Sequence, residues 1–305
     1  MNTRHLSRLL IFFSALVIYS PSVSLAQSPH GAGGKVLTLN LSAIQQFRAD
    51  IGDSRMDFSG YRVKADLDLV KSRKLIMSLG TSYDISEYKF AGQPADPWSD
   101  PWGSINSTDV GLRTIFPGSG KWSYFLAGSL DWSWEEGASA PDGLVYGIIT
   151  SGTHSFRYDR RLGLGIGVFN GLEELKIFAY PTVSWRFNEN LTLKNPLQAG
   201  PVGPAGLELV YNASNKWEIG SGAAYRSLRF RLDGEGIGPD GFGDISGIPM
   251  WFRTTHQNGS GWKFGLYAGI VLSGDAVVED RDGRRLQSRH FDPAPLAALT
   301  LERDF

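Results

Sequence analysis

Between Tyr61 and Leu69 the chain alternates with a period of two. Tyr61, Val63, Ala65, Leu67 and Leu69 fall on one face, and Arg62, Lys64, Asp66 and Asp68 on the other. A helix would scatter the four charges around its circumference, whereas a strand gathers them on one side. The same alternation occupies Leu37 to Ala43, Leu75 to Glu87, Ile105 to Phe116, Lys121 to Glu135, Leu144 to Tyr158, Leu162 to Phe169 and Leu175 to Phe187. It continues over Leu207 to Tyr211, Trp217 to Leu232, Ile248 to Gln257 and Trp262 to Ser273, with a weaker trace near Leu191 to Lys194. The final strand sets Ala297, Leu299, Leu301, Arg303 and Phe305 against Ala298, Thr300, Glu302 and Asp304. The pattern predicts an all-β chain of about fourteen strands, or twelve without the weak pair near Leu191 and Leu207.

The segment Lys121 to Glu135 separates a membrane barrel from a soluble sandwich. Trp122, Tyr124, Leu126, Gly128, Leu130, Trp132 and Trp134 share one face, with tryptophans at both ends of an aliphatic middle. Trp122 and Trp132 are about 33 Å apart along a strand. A tilt of about 40° reduces this to roughly 25 Å, the height of the apolar band between the aromatic girdles of a transmembrane barrel. Connections alternate in the same sense. Tight-turn sequences follow Lys71, Pro117, Tyr158, Phe187, Tyr211 and Gln257, and longer loops cover Lys89 to Ser104, Glu136 to Gly143, Gln198 to Gly203, Asp233 to Ser246 and Gly274 to Pro293. The expected architecture is a transmembrane antiparallel up-and-down β-barrel with short periplasmic turns and longer outer loops. Trp122, Trp185, Tyr211, Trp217 and Trp262 abut the short turns and would form one girdle.

Two places break the pattern. Pro181 lies inside a strand and cannot donate a ladder hydrogen bond, which predicts a bulge or local break. In Ser227 to Leu232 the polarity is inverted relative to Trp217, Ile219, Ala223 and Tyr225. A bulge, or projection of that end above the membrane, would explain the inversion, and projection is the simpler expectation.

Composition is ordinary, with 42% hydrophobic residues and a net charge of −1. Alternating strands hide their apolar residues from average hydropathy, so this is compatible with a barrel, and it gives no reason to expect a nucleic-acid partner. Arg4 and Arg8, the apolar run Leu9 to Tyr19 and the small residues of Ser24-Leu25-Ala26 form an export signal. The chain therefore divides into a cleaved signal peptide at 1–26, a flexible glycine-rich lead-in at 27–35 and the barrel at 36–305. Cysteine is absent, so thiol chemistry, disulfides and lipid attachment at cysteine play no part.

By phase, Arg62, Lys64, Asp66, Asp68, Asp109, Arg113, Arg157, Arg186, Arg226, Arg253 and Lys263 would face the lumen, as a neutralising set of ion pairs or as the wall of a selective pore. The loop Gly274 to Pro293 is long enough to fold inward, where Arg281, Arg284, Arg285 and Arg289 would pair with Asp66, Asp68 or Asp109. Gly163, Gly165 and Gly167 are inward too, leaving room for a loop or a long arginine; without a following helix they form no phosphate cradle. The acidic loops at Asp233 to Gly236, Asp240 to Asp244 and Glu279 to Gly283 read as solvated turns rather than calcium loops. His154, His256 and His290 are the histidines that could act as a base, but no catalytic motif surrounds them. No cofactor or metal motif is present. The partners implied are outer-membrane lipid, the barrel-assembly machinery and a small solute.

The signal, the strand ladder, Gly-Leu-Glu-Leu-Val-Tyr at Gly206 to Tyr211, Tyr-Arg-Ser-Leu-Arg-Phe-Arg-Leu at Tyr225 to Leu232 and the terminal Phe305 together resemble an uncharacterised Gram-negative outer-membrane β-barrel family, the domain of unknown function numbered 6268. The resemblance implies outer-membrane localisation after export through the periplasm, with Phe305 as the assembly signal. The function expected is a porin-like or substrate-selective channel for small solutes; the alternatives are a non-conducting structural or surface-binding barrel and, third, an outer-membrane enzyme. Deleting Phe305, or replacing it with a charged residue, should block insertion while leaving signal cleavage intact. Normal heat-modifiable barrel in outer-membrane fractions of that variant would contradict the assembly role.

Overall fold

The computed structural model describes residues 36–305 except 73, 93–95, 97, 99, 119 and 197–204. The signal peptide and lead-in, and the loop expected at Gln198 to Gly203, lie outside the described residues. The strand segments are β1 (Leu37–Ile51), β2 (Ser54–Lys71), β3 (Ile76–Ala91), β4 (Ser104–Pro117), β5 (Trp122–Glu135), β6 (Leu144–Arg157), β7 (Arg160–Gly171) and β8 (Glu174–Arg186). They continue with β9 (Leu191–Lys194), β10 (Ala205–Asn212), β11 (Trp217–Arg231), β12 (Phe242–Gln257), β13 (Trp262–Glu279), β14 (Arg285–Phe291) and β15 (Ala294–Asp304). Each pairs antiparallel with its neighbour, and β15 pairs with β1 from Thr38–Asp304 to Gln46–Leu296. β13 pairs with β15 over its first part and with β14 over its last, so β14 and β15 are two segments of one strand. The result is a closed antiparallel barrel of fourteen strands.

The faces follow the alternation. Leu79, Val110, Leu112, Leu126, Leu130, Ile148, Leu164 and Ile177 are exposed around the outside, while Ser82, Ser129, Ser151 and Thr153 are buried inside. So much continuous exposed apolar surface marks a lipid-facing band. At the short-turn end an aromatic ring borders it. Trp122 meets His154 edge-on at 5.0 Å, Phe156 packs on Trp185 and Trp217 lies 4.5 Å from His256. Arg303 sits between Trp262 and Phe305, at 4.7 and 4.4 Å from the ring centres.

Several sequence expectations change. Pro181 causes no bulge: β7 and β8 stay in register through Leu164–Pro181. Its carbonyl points away from β7 and accepts from Asn195 Nδ2 at 3.1 Å, so its nitrogen also faces the side where β9 has already ended. The missing donor therefore breaks no ladder bond. The inward glycines leave room for neither a loop nor an arginine. Tyr180 lies across Gly165, Phe178 across Gly167 and Phe169 across Gly147, each directly cross-strand, so a Cβ at any of these glycines would strike the ring. This flat aromatic packing fills the trough that glycine leaves and pins the register.

The stretch Gly274 to Pro293 is largely a hairpin rather than a loop. β13 carries on to Glu279, Gly283 turns the chain at φ +75°, and β14 returns. Ala276 and Val278 are fully buried on its inner face, whereas Arg284 and Arg285 stay exposed. Leu126→Arg, in the middle of the tryptophan-bounded face, should cost about 2–4 kcal/mol in a lipid refolding titration. A cost near zero would contradict the lipid-facing assignment.

Candidate functional site

Cross-strand register sorts the interior into rows. Lys263, Glu302, Asn40, Lys64, Ser82, Asp109 and Asp131 stand opposite one another across β13, β15, β1, β2, β3, β4 and β5. Two residues further toward the long-loop end, Thr300, Ser42, Arg62, Asp84, Ser107 and Ser133 form a second polar row. The next row is Ala298, Ile44, Gly60, Ser86 and Ile105, and the one after it Leu296, Gln46, Phe58 and Tyr88. The interior thus passes from charged to apolar along the barrel axis, and β7 and β8 add the aromatic wall of Phe169, Phe178 and Tyr180.

Most of the sequence-predicted lumen residues are ion-paired. Arg62 pairs with Asp84, Arg113 with Asp66, and Lys64 with Asp66 at 3.1 Å. Asp68 accepts from Ser78 at 2.9 Å and meets Lys71 at 3.7 Å. Lys263 contacts Glu302 at 2.5 Å and Asp304 at 3.3 Å. Arg253 is the most deeply paired: it donates to Glu208 at 2.5 and 2.9 Å and also to Glu218, and Trp251 Nε1 donates to the same Glu208 at 3.1 Å. Asp109 faces Asp131, which accepts from Ser129 at 2.8 Å. Arg157, beside Asp159 at 3.7 Å, and Arg186 are exposed at the short turns, outside this network. The hairpin arginines do not reach the lumen acids: Arg284 meets Asp282 at 3.5 Å and Arg289 approaches Asp96 at 4.0 Å. The hairpin rises from the rim, and Asp66 is already held from within the barrel.

The upper end of β11 explains its inverted polarity without a bulge. Its register with β12 is unbroken from Trp217–His256 to Arg231–Phe242, yet Arg231 also pairs with Trp134 of β5, six strands away around the wall. The β11–β12 tip has therefore left the wall and crosses the mouth as a septum. The face that carries Arg226, Leu228, Phe230 and Leu232 turns toward the apolar rows. The opposite face, lipid-facing lower down, meets the β7–β8 turn, β8 and the end of β13: Arg229 donates to Leu172 O at 3.1 Å and pairs with Glu279 at 2.7 Å, and Lys176 reaches Asp244 on β12 at 3.6 Å. Both faces are buried, which corrects the expectation of a projecting end.

Against the septum, Trp98 and Trp102 of the β3–β4 connection turn inward. Trp98 and Trp102 are 0 and 2% exposed, and Trp102 packs on Phe230 at 5.3 Å and on Tyr88 at 6.1 Å. Ile51, Met56, Phe58 and Ile105 complete this apolar cap. The Glu135 carboxylate clamps it, accepting from Gly103 N at 2.8 Å and from Asp233 N at 3.2 Å. Against the cap lies a cavity of about 50 Å³, between Ile44, Phe58, Leu228, Val271 and Leu296, with Arg226 on its wall.

Sequence reasoning missed the cap. Trp98 and Trp102 sit among prolines and aspartates with no periodicity, although two tryptophans in so polar a loop were a signal for burial. Glu208 and Glu218 were visible as inward by phase, but their convergence on Arg253 depends on three-dimensional register. Of the acidic loops expected as solvated turns, two turns close on themselves, with Asp233 accepting from Glu235 N and Asp280 from Asp282 N and Arg284 N; Phe242 to Asp244 instead belong to β12, where Asp244 meets Lys176, and Glu279 pairs with Arg229. His154 and His256 belong to the outer aromatic ring, and His290 lies on the exposed hairpin 3.2 Å from Asp275.

No protein-family model matches the chain, and no curated protein sequence matches it. Among solved structures, the COG4313 outer membrane channel from Pseudomonas putida F1 is similar over 92% of this chain and 100% of that one, with a TM-score of 0.50 at 6% identity. The fold is that of an outer-membrane β-barrel. A TodX monoaromatic hydrocarbon channel mutant (TM-score 0.41, 10% identity, 94% and 93% covered) and the KdgM porin with oligogalacturonate (0.35, 10%, 87% and 99%) are more distant in shape. At these identities the likeness bears on fold alone.

Arg253→Met should destabilise the barrel by about 3–5 kcal/mol in urea refolding, because Glu208 would remain buried without its partner. Adding Glu208→Gln should recover much of that loss. A single-variant cost below about 1 kcal/mol would contradict a buried ion-paired network.

Proposed function

We propose that the chain is an outer-membrane channel, selective and gated, with its mouth closed in the state described. On this reading it is exported by the signal at 1–26, folds with the short turns in the periplasm and belongs with the family that its sequence resembles. The observation that carries the proposal is the nature of the closure. Polar, charged rows line the wall toward the short-turn end, and what blocks them is Trp98 and Trp102 of the β3–β4 connection together with the tip of the β11–β12 hairpin, which has left the wall. Glu135 fastens that closure through two backbone hydrogen bonds, a small number of contacts to exchange on opening. A barrel that served only as a wall would gain nothing from inward charges, since burying each ion costs several kcal/mol unless it is paired.

The pairing itself supports the second reading, a non-conducting barrel in which Arg253 with Glu208 and Arg62 with Asp84 act as struts. Planar-bilayer conductance separates the two. The wild-type protein should give small, infrequent single-channel steps, and the Trp98→Ala/Trp102→Ala double variant larger and more frequent ones. Silence from both proteins, each with normal β spectra and heat-modifiability, would favour the structural barrel.

A further inference from the structure

Each tryptophan of the short-turn ring stands directly cross-strand from a basic residue and stacks on it. Trp122 faces His154 and Trp217 faces His256, with ring centres 5.0 and 4.5 Å apart. Trp185 faces Arg160 and Trp262 faces Arg303, with the guanidinium carbons 5.3 and 4.7 Å from the ring centres. In every pair one member opens a strand just after a short turn: Trp122 on β5, Arg160 on β7, Trp217 on β11 and Trp262 on β13. The four pairs therefore share one depth, on the lipid-facing side, at the edge of the apolar band.

The two arginines have no acid to answer them. Asp159 meets Arg157 at 3.7 Å, and Glu302 and Asp304 turn inward to Lys263. The Nε of Arg160 and of Arg303 is covered and has no acceptor among the described residues. Any partner therefore comes to the outer edge of the guanidinium, which stacking on the indole holds in place. A lipid-facing arginine is tolerated at the edge of the bilayer, where it reaches the headgroup layer, and not at the midplane. What that layer offers beside it is phosphate, whose oxygens match the guanidinium fork. The imidazoles of His154 and His256 carry at least one N–H in either protonation state and can donate to the same group.

We propose that these pairs form a belt of phospholipid sites in the leaflet on the short-turn side, with the lipid phosphate on the basic residue and the tryptophan against the glycerol and upper acyl chain. Arg160 and Arg303 are its strong members, and both favour an anionic headgroup such as that of phosphatidylglycerol. A zwitterionic lipid carries its own ammonium close to the phosphate, which already answers part of the charge that the arginine would answer. The sites are spread around the wall, so bound lipid fixes the depth of the barrel and leaves the lumen free. The inference takes from the proposed topology only the name of that leaflet, the periplasmic one. It takes nothing from conduction, so the two readings fail separately.

The test is native mass spectrometry of the folded protein, released from neutral maltoside micelles that hold phosphatidylglycerol and phosphatidylcholine of the same acyl chains in equal amounts. The wild-type protein should retain phosphatidylglycerol about fivefold over phosphatidylcholine, the margin of one basic residue at an anionic lipid surface. Arg160→Gln/Arg303→Gln should bring the ratio close to one, and Arg160→Gln alone, away from the closing strand, should lower it part of the way. Lys121→Gln/Arg157→Gln removes as much charge from the short turns without touching a tryptophan pair, and should leave the ratio unchanged. Excess glycerol phosphate should displace no lipid. Equal retention of the two lipids by the wild-type protein, a result that needs no variant to fold, would overturn the proposal. So would a preference kept by Arg160→Gln/Arg303→Gln, or an equal loss in Lys121→Gln/Arg157→Gln, which would mean diffuse charge only. Displacement by glycerol phosphate would overturn it too, by showing a site for free phosphate.

Discussion

Everything in this molecule depends on closing the sheet. A strand edge facing hydrocarbon leaves a row of amide and carbonyl groups without partners, and lipid offers none. Pairing β1 with β15 removes both edges at once, and closure then dictates the remainder. Side chains alternate between lipid and lumen, so the chain must alternate apolar with polar or small residues. Glycine enters where rings must lie flat on the wall, and proline where a neighbouring strand has ended. Pro181 meets that condition because β9 is only four residues long, Leu191–Lys194.

The same short strands create the most unusual feature. β9 ends at Lys194, and among the described residues β10 pairs with β11 only as far as Ala205–Tyr225; beyond that the β11–β12 hairpin turns across the mouth. Its two faces then exchange environments. The inward face acquires the apolar company of Trp102 and Tyr88, and the formerly outward face acquires Glu174, Lys176 and Glu279. Leu228, Phe230 and Leu232, alternating with Ser227, Arg229 and Arg231, are the sequence of a strand placed between those two layers. Closure of the mouth is thus built from a wall strand that has changed its role, backed by one inward loop.

The sequence made the barrel legible because the period of two survives in every wall strand and because the tryptophans mark the band height. The inward phase of Arg62, Lys64, Asp66, Asp109, Arg113, Arg226, Arg253 and Lys263 was readable for the same reason. What the chain could not disclose was which of these charges meet. Asp66 takes Arg113 from two strands away, and Glu208 takes Arg253 across β11. Such pairings depend on barrel curvature and strand stagger. The Gly274 to Pro293 stretch misleads for a different reason. Its arginines and aspartates hide a hairpin whose inner face buries Ala276, Val278 and Phe291. The cap was hidden because an aperiodic, proline-rich connection leaves no trace of where Trp98 and Trp102 will pack.

The central claim is that an apolar cap separates the long-loop side from the polar rows. The absence of cysteine permits a direct measurement: single-cysteine labelling of Ser107→Cys, in the second polar row, by a bulky membrane-impermeant maleimide added to intact cells. The account predicts little labelling of Ser107→Cys from outside and rapid labelling in the same cells once Trp98→Ala and Trp102→Ala are introduced. Fast labelling of Ser107→Cys with both tryptophans in place would contradict a closed mouth.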